Sequence, residues 1–285
     1  MNYRHAFHAG NFADVLKHLV LARILTALRA KDTPFRYLDT HAGIGLYRLD
    51  SEEALRTGEW VEGIERLREP FSDEVEAILA PYRDAVAATR AAHGAQAYPG
   101  SPLVAAQLMR PQDRAVLIEK HPEDVGTLTA LFARDRRCKV IGLDGWTALN
   151  AMIPPPERRG LVLIDPPFEA RDEMGRLGQA LVDAAAKWPT GQFAGWYPIK
   201  DVAEADALAR RVAQARLPKL QRIELLIAKP GERSLIGCGL LVINPPWTLP
   251  GEMDRVLPAL AARLARTGEG AFVNAWLGTD ARPGA

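Results

Sequence analysis

Leu161-Val162-Leu163-Ile164-Asp165-Pro166-Pro167-Phe168 decides the reading of this chain. Four apolar residues make a short buried strand, and the strand stops at an acid followed by two prolines. Proline fixes φ, donates no N–H and holds the residue before it extended. The turn therefore leaves the Asp165 carboxylate and the Pro166 carbonyl as acceptors with few competing donors. Such a pair can accept both protons of a planar amino group. The Phe168 ring can stack on the base that carries that group.

Upstream, three more segments end in the same manner. Phe35 to Asp39 reads as a strand running into Thr40-His41-Ala42-Gly43-Ile44-Gly45. Glycines at a strand-to-helix turn let a ligand approach the backbone. This is not a dinucleotide fingerprint, since Arg48 stands at the third glycine position, and no Gly-Lys-Ser/Thr follows as in a Walker loop. Ala115 to Ile118 ends at Glu119, whose carboxylate can accept both hydroxyls of a ribose. Lys139 to Leu143 ends at Asp144-Gly145, where an acid and a backbone N–H can read an adenine edge. Glu119 stands 80 residues after Asp39, whereas such folds leave about 20. The surplus is a stretch rich in Glu, Arg and Ala, read as a helical insertion over 51–94. In it Ser72-Asp73-Glu74 starts a helix that runs to about Ala80, with Pro81 kinking or restarting it.

The first helix spans Ala13 to Ala30, with Asn11 or Asp14 as cap. Further strands are expected over Gln192 to Tyr197, Gln221 to Ala228, Cys238 to Ile243 and Ala271 to Leu277. Helices are expected over Glu123 to Arg134, Met174 to Lys187 and Met253 to Arg266. Strands alternating with helices predict an α/β fold: a mostly parallel twisted sheet with helices on both faces. Ligands of such sheets bind at the carboxyl ends of the strands. The organisation is then 1–50, a helical insertion over 51–94, and 95–285 completing one domain. Asn244-Pro245-Pro246-Trp247 copies the shape of the Asp165 motif after Leu240 to Ile243. Too few residues follow it to complete a sheet, so it reads as structural, or as a rim of the substrate pocket.

Composition narrows the class. Apolar residues make up 48% and charged residues 25% of the 285, which excludes whole-chain disorder, collagen and coiled coil. Thirty-six Lys+Arg against 35 Asp+Glu exclude a strongly basic coat protein but not a local basic patch. Arg4, Lys17, Arg23, Arg29 and Lys31, with His5 and His8, face one acid, Asp14, in the first 31 residues. That segment reads as a local basic patch, part of which a solvated helix face explains. The run Arg134, Arg136, Arg137 and Lys139 reads as a solvated loop. Cys138 and Cys238 read as buried filler rather than a disulfide framework. His5 and His8 lack the Cys or carboxylate partners of a metal site, so no metal is expected. Asp14, Lys17 and His18 interrupt the apolar N-terminus, so no signal peptide is expected, and no membrane-length apolar run occurs. The expected address is the cytoplasm.

The ordered set of a Gly-rich loop, an acid, Asp-Gly and Asp-Pro-Pro-aromatic resembles class I S-adenosylmethionine-dependent N-methyltransferases with a Rossmann-like fold. The stretch from Tyr3 through His5-Ala6-Phe7-His8-Ala9-Gly10-Asn11-Phe12-Ala13-Asp14 to Lys17-His18 is similar to the opening of the RlmJ family. So are Tyr98-Pro99-Gly100-Ser101-Pro102, Trp196-Tyr197-Pro198 and Asn244-Pro245-Pro246-Trp247. The resemblance covers nearly the whole chain. It implies S-adenosyl-L-methionine as cofactor and methylation of N6 of a single adenine in domain V of bacterial 23S ribosomal RNA; a monomer is expected. It implies cofactor contacts at His18, His41, Gly43, Ser101, Glu119, Asp144, Gly145 and Asp165. It implies catalysis at Asp165, with Pro166 and Phe168 beside it, and RNA contact at Tyr3. Arg4, His5, His8 and Lys17 join Tyr3 as expected substrate contacts. The family motif usually ends in Tyr where this chain has Phe168, so stacking is kept and a hydroxyl hydrogen bond is not. The competing readings are a DNA adenine or glutamine N-methyltransferase, and a non-catalytic RNA-binding assembly protein on the same scaffold.

Overall fold

The computed structural model describes residues 4–229, 235–266, 268 and 270–283. The chain opens with α1 (Phe12–Arg29), β1 (Arg36–Asp39) and β2 (Leu46–Arg48), then α2 (Glu52–Thr57), α3 (Asp73–His93) and β3 (Ala97–Pro99). It continues through α4 (Ser101–Leu108), β4 (Arg114–Glu119), α5 (Pro122–Phe132), β5 (Cys138–Gly142), α6 (Gly145–Met152) and β6 (Gly160–Ile164). Helix α7 (Glu173–Lys187), β7 (Gln192–Ile199), α8 (Val202–Ala213), β8 (Leu220–Leu226), β9 (Gly237–Ile243), α9 (Leu249–Leu264) and β10 (Ala271–Trp276) complete it.

Eight strands form one sheet in the order β10-β8-β9-β7-β6-β1-β4-β5. From β5 to β7 every pairing is parallel. Beyond β7 the direction alternates, with β9 antiparallel to both β7 and β8, and β10 antiparallel to β8. The reversal has a simple cause. Ten residues separate β8 from β9, too few for a crossover helix, so the chain returns antiparallel. Strand β1 lies between β4 and β6, so the connections leave it in opposite directions. That switch point opens a crevice beyond the carboxyl ends of the strands.

Asn11 is the cap of α1, its side-chain oxygen accepting from Ala13 N and Asp14 N at 3.0 Å each. The helix is buried on nearly every side, because α3, α4 and α9 pack around it above the sheet. Its polar members Asp14, Lys17 and His18 are therefore buried too. Leu16, Leu19 and Ile24 are sealed in this core, and truncating one such side chain costs about 2–5 kcal/mol. The other face of the sheet packs beneath α6, α7 and α8.

Helix α3 does not stop near Ala80; it runs on through Pro81 to His93. Pro81 removes one N–H from the helix ladder. Ile78, Leu79, Tyr82 and Val86 are buried on both sides of it and share the core with α1 and α4. That packing carries the helix across the proline. Strands β2 and β3 pair antiparallel, Leu46 with Pro99 and Arg48 with Ala97, and so join the two ends of the helical segment. Cys238 is buried and Cys138 partly so, and neither is in a disulfide. No helix among the described residues is long and apolar enough to cross a membrane.

Candidate active site

A cleft of about 710 Å³ lies at the carboxyl ends of β1, β4, β5 and β6. Every strand delivers a carboxylate there or beneath it. Asp39 ends β1, Glu119 ends β4, Asp144 stands two residues past β5, and Asp165 follows β6.

Asp39 forms the floor. It accepts from Tyr37 Oη at 2.7 Å, Ser101 Oγ at 2.6 Å and the His41 N–H at 3.3 Å. Burial raises its pKa to about 6 against these donors. The Gly43 N–H donates to Glu119 Oε2 at 2.9 Å, and Glu119 Oε1 accepts from Lys120 N at 2.7 Å and His121 N at 2.8 Å. Three backbone donors thus fix this buried carboxylate. A carboxylate has about four acceptor sites, so capacity remains for a hydroxyl. Gly43 has φ +59°, and a Cβ there would stand 2.4 Å from Tyr47 Oη.

Asp144 caps α6 by accepting from Thr147 N at 3.1 Å, and Lys120 Nζ lies 3.1 Å from its other oxygen. Partial burial works to raise its pKa, but these donors hold it below the usual carboxylate range. At Gly145 a Cβ would lie 2.2 Å from Thr40 O and 2.8 Å from the His41 ring. Only glycine lets the β1 loop pass against the start of α6. His41 meets Trp146 edge-to-face at 5.5 Å, and burial lowers its pKa to about 4. His18 is fully buried, which lowers its pKa to about 3. Its Nδ1 bonds Tyr98 Oη at 3.0 Å, and Tyr98 bonds Tyr82 Oη at 3.0 Å. Among the described residues His18 Nε2 has no hydrogen-bond partner, its nearest acid being Asp14 Oδ1 at 3.9 Å, and His18 lines the cleft. Both rings are neutral at pH 7.

The expected cofactor contacts His18, His41, Gly43, Ser101, Glu119, Asp144, Gly145 and Asp165 all line this cleft, as do Pro166, Arg4, His5 and Lys17. Phe168 does not. It has φ +52°, and its ring packs edge-to-face on Trp196 at 5.7 Å. His8 is also outside the lining and bonds Glu59 at 3.0 Å. Tyr3 lies outside the described residues.

The N-terminal segment is not the open basic patch expected from its composition. Lys17 is 6% exposed and bridges two carboxylates, Asp165 Oδ2 at 2.6 Å and Asp14 Oδ1 at 2.9 Å. Asp14 also meets His5 Nε2 at 3.0 Å and the Gly10 N–H at 2.8 Å. Burial alone would raise the Asp14 pKa, and the neighbouring His5 and Lys17 charges drive it well below the usual range. Arg4 pairs with Glu123 at 2.9 Å across the cleft mouth, and Arg23 grips Glu252 through two hydrogen bonds. Arg4, Lys17 and Arg23 have each met an acid distant in sequence, whereas Arg29 and Lys31 stay exposed. Sequence reasoning missed Lys120, Trp146 and Arg176 in the lining. Trp146 carried a signal, directly following Asp144-Gly145. Arg176, 4.7 Å above the Trp146 ring, carried none.

Asn244-Pro245-Pro246-Trp247 is not a rim of this cleft. Strand β9 runs opposite to β7, with Ile243 beside Phe193, so the motif leaves the sheet at the other edge. The Asn244 amide donates to Pro189 O and Gly191 O there, at 2.8 Å each. This settles the motif as structural in its first residue, while Trp247 stays 78% exposed.

Residues 32–278 match the family described as "Ribosomal RNA large subunit methyltransferase D, RlmJ". The chain is 40% identical to "Ribosomal RNA large subunit methyltransferase J" of Escherichia coli over 97% of its own length and 99% of that protein. It is equally identical, over the same shares, to the protein so named in Haemophilus influenzae. Among solved structures, protein LPL1258 of Legionella pneumophila superposes with a TM-score of 0.84 at 34% identity, over 95% of this chain and 99% of that one.

Proposed function

The chain belongs to the RlmJ family of ribosomal RNA large-subunit methyltransferases, and from that premise we propose that it methylates N6 of a single adenine in domain V of 23S ribosomal RNA. The observation that carries this reading is the convergence of Glu119, Asp144 and Asp165 on one cleft, with Pro166 beside them. S-adenosyl-L-methionine fits the donor set and, when bound, supplies an electrophilic methyl sulfonium. Glu119 would accept its ribose hydroxyls, while Asp144 and the Gly145 N–H would read its adenine edge. His18 Nε2, buried and without a hydrogen-bond partner among the described residues, is a neutral group suited to the amino-acid end, and Ser101 lines the same cleft.

Asp165 and Pro166 act on the target base. The amino lone pair of adenine is delocalised into its ring. Acceptors on both N–H bonds favour a pyramidal nitrogen and turn the lone pair toward the methyl donor. Lys17 holds Asp165 by Oδ2, leaving Oδ1 to accept one N–H and the Pro166 carbonyl to accept the other. Orientation and preorganised charge supply the acceleration. For Phe168 to stack on the base, its ring must turn away from Trp196. The target adenine must be unstacked or flipped to enter. We place the reaction in the cytoplasm, with 23S RNA free or in an assembly intermediate.

Transfer of labelled methyl to unmodified 23S RNA and to duplex DNA tests the reading. The expected result is one methyl per RNA and none on DNA. Transfer to DNA alone, or none to either, overturns it.

A further inference from the structure

The edge of the sheet opposite the cleft is basic, whereas acids outnumber Lys and Arg in the cleft lining. Four adjacent strands enter through arginines. Arg36 opens β1 and is the direct cross-strand partner of Arg114, which opens β4. The Arg159 carbonyl accepts from Arg36 N at 2.9 Å just before β6, and the Arg137 carbonyl accepts from Ala115 N at 2.8 Å just before β5. With strands about 4.8 Å apart, these four positions form a row about 14 Å long. The segments 29–36, 110–114, 134–139 and 157–159 that build this edge hold eleven Lys+Arg and four Asp+Glu. Their surplus of seven stands in a chain whose total surplus is one.

Part of this charge is structural. Arg110 and Arg159 donate to the carbonyls at the end of α1, meeting on Thr33 O, and Glu157 and Asp135 pair with Arg36 and Arg137. The rest of the charge is not neutralised. Arg114, Arg134, Arg136, Lys139 and Arg158 are exposed; Arg114 donates to the Pro111 and Asp113 carbonyls, but among the described residues none of the five has a carboxylate within ion-pairing distance. Like charges directly opposite in a sheet are destabilising. A solvated loop explains one such run, but not four brought to one edge.

The same edge carries Trp247. The Asn244 amide pins the turn to Pro189 and Gly191, and the two prolines stiffen it. The indole is thereby presented on a rigid turn, the most exposed of the large apolar side chains described. The turn that carries it follows β9, which lies two strands from β6, about 10 Å across the sheet. A cationic track with an exposed aromatic beside it is the combination that grips nucleic-acid backbone and stacks an unpaired base.

We infer that this edge, with Arg114, Arg136, Lys139, Arg158 and Trp247, is a second RNA-binding surface that holds the phosphate backbone flanking the target. The inference rests on the proposed RNA substrate. Strand β4 sets the geometry, with Arg114 at one end and Glu119 at the other, about 17 Å apart. An RNA just large enough to fill the cleft does not reach the far edge; a domain-sized RNA does.

The test compares the full-length protein with the quadruple variant Arg114→Gln, Arg136→Gln, Lys139→Gln, Arg158→Gln, and separately with Trp247→Ala. Binding of unmodified full-length 23S RNA and of a short stem-loop is measured across a salt series. The quadruple variant is expected to bind full-length RNA about tenfold more weakly near 0.1 M salt, with a log–log salt slope shallower by about 3. Trp247→Ala is expected to weaken the same binding about fivefold with the slope unchanged. Stem-loop binding stays the same in both. Unchanged affinity and slope on full-length RNA overturn the inference, as does an equal loss on the stem-loop. Failure of the functional reading shows separately, as absence of methyl transfer to 23S RNA by the unaltered protein.

Discussion

The two edges of one sheet carry opposite chemistry. At the carboxyl ends, acids are tightly held: buried Asp39 by three donors, buried Glu119 by three, and partly exposed Asp165 by Lys17. At the amino ends, arginines crowd together and many remain solvated. The difference teaches that order and charge serve separate tasks. Polar groups that line the cleft are fixed by protein donors while keeping an acceptor site open, as at Glu119 and Asp165. Cations that meet a long flexible polyanion work from solvent, where each contact is weak and their sum matters.

Substitutions at the acidic edge are expected to remove chemistry while those at the basic edge spare it. The largest effect is at Asp165. Asp165→Asn should slow methyl transfer about a thousandfold in single-turnover assays, by removing an acceptor from the transferring nitrogen. Its melting temperature should stay near that of the unaltered protein. Lys17→Met should cost about 3 kcal/mol of stability in urea unfolding, because it strips a buried cation from the pair of carboxylates it bridges. Full stability in that variant would mean that Asp14 is satisfied by His5 and Gly10 alone.

Gly145→Ala comes next. The added methyl would stand 2.2 Å from Thr40 O, so the loop must move, at about 1–3 kcal/mol. Calorimetry should show cofactor affinity reduced at least tenfold, a figure on the order set by that same displacement.

The pH response also belongs to the cleft edge. His18 and His41 have folded pKa values near 3 and 4, below the ordinary 6.5. Their neutral forms contribute stability that is full above pH 6.5 and is lost as pH falls toward 4 and 3. Asp39, raised to about 6, acts in the opposite sense between pH 3.8 and 6, and the two histidines outweigh it. The melting temperature should therefore decline from pH 6.5 to 4.5. A flat profile would show that these rings are not held neutral. The smallest effect is at the basic edge, where Arg158→Gln alone should change stability by less than about 0.5 kcal/mol.

Much of the carboxyl edge was legible in sequence. Apolar runs ending in Asp39, Glu119, Asp144 and Asp165 mark strand exits, because a buried strand must stop where polar groups need water or a ligand. Strand direction was not legible. Asp165-Pro166-Pro167-Phe168 and Asn244-Pro245-Pro246-Trp247 share one pattern yet leave the sheet at opposite edges, since only pairing with β7 reverses β9. Charge was misread for the same reason. Arg4, His8 and Arg23 look free along the chain, but their partners Glu123, Glu59 and Glu252 come from remote segments. The arginine row is the converse case, dispersed in sequence and adjacent only once β6, β1, β4 and β5 align. Three-residue strands such as β2 and β3 are too short to leave a pattern.

The central claim is that this cleft methylates adenine N6 in 23S RNA through Asp165. Mass spectrometry of 23S RNA from a strain deleted for this protein, complemented with the unaltered chain or with Asp165→Asn, tests it most directly. One N6-methyladenine should disappear on deletion, return with the unaltered chain and stay absent with Asp165→Asn. An unchanged methyladenine content on deletion, or full restoration by Asp165→Asn, would contradict it.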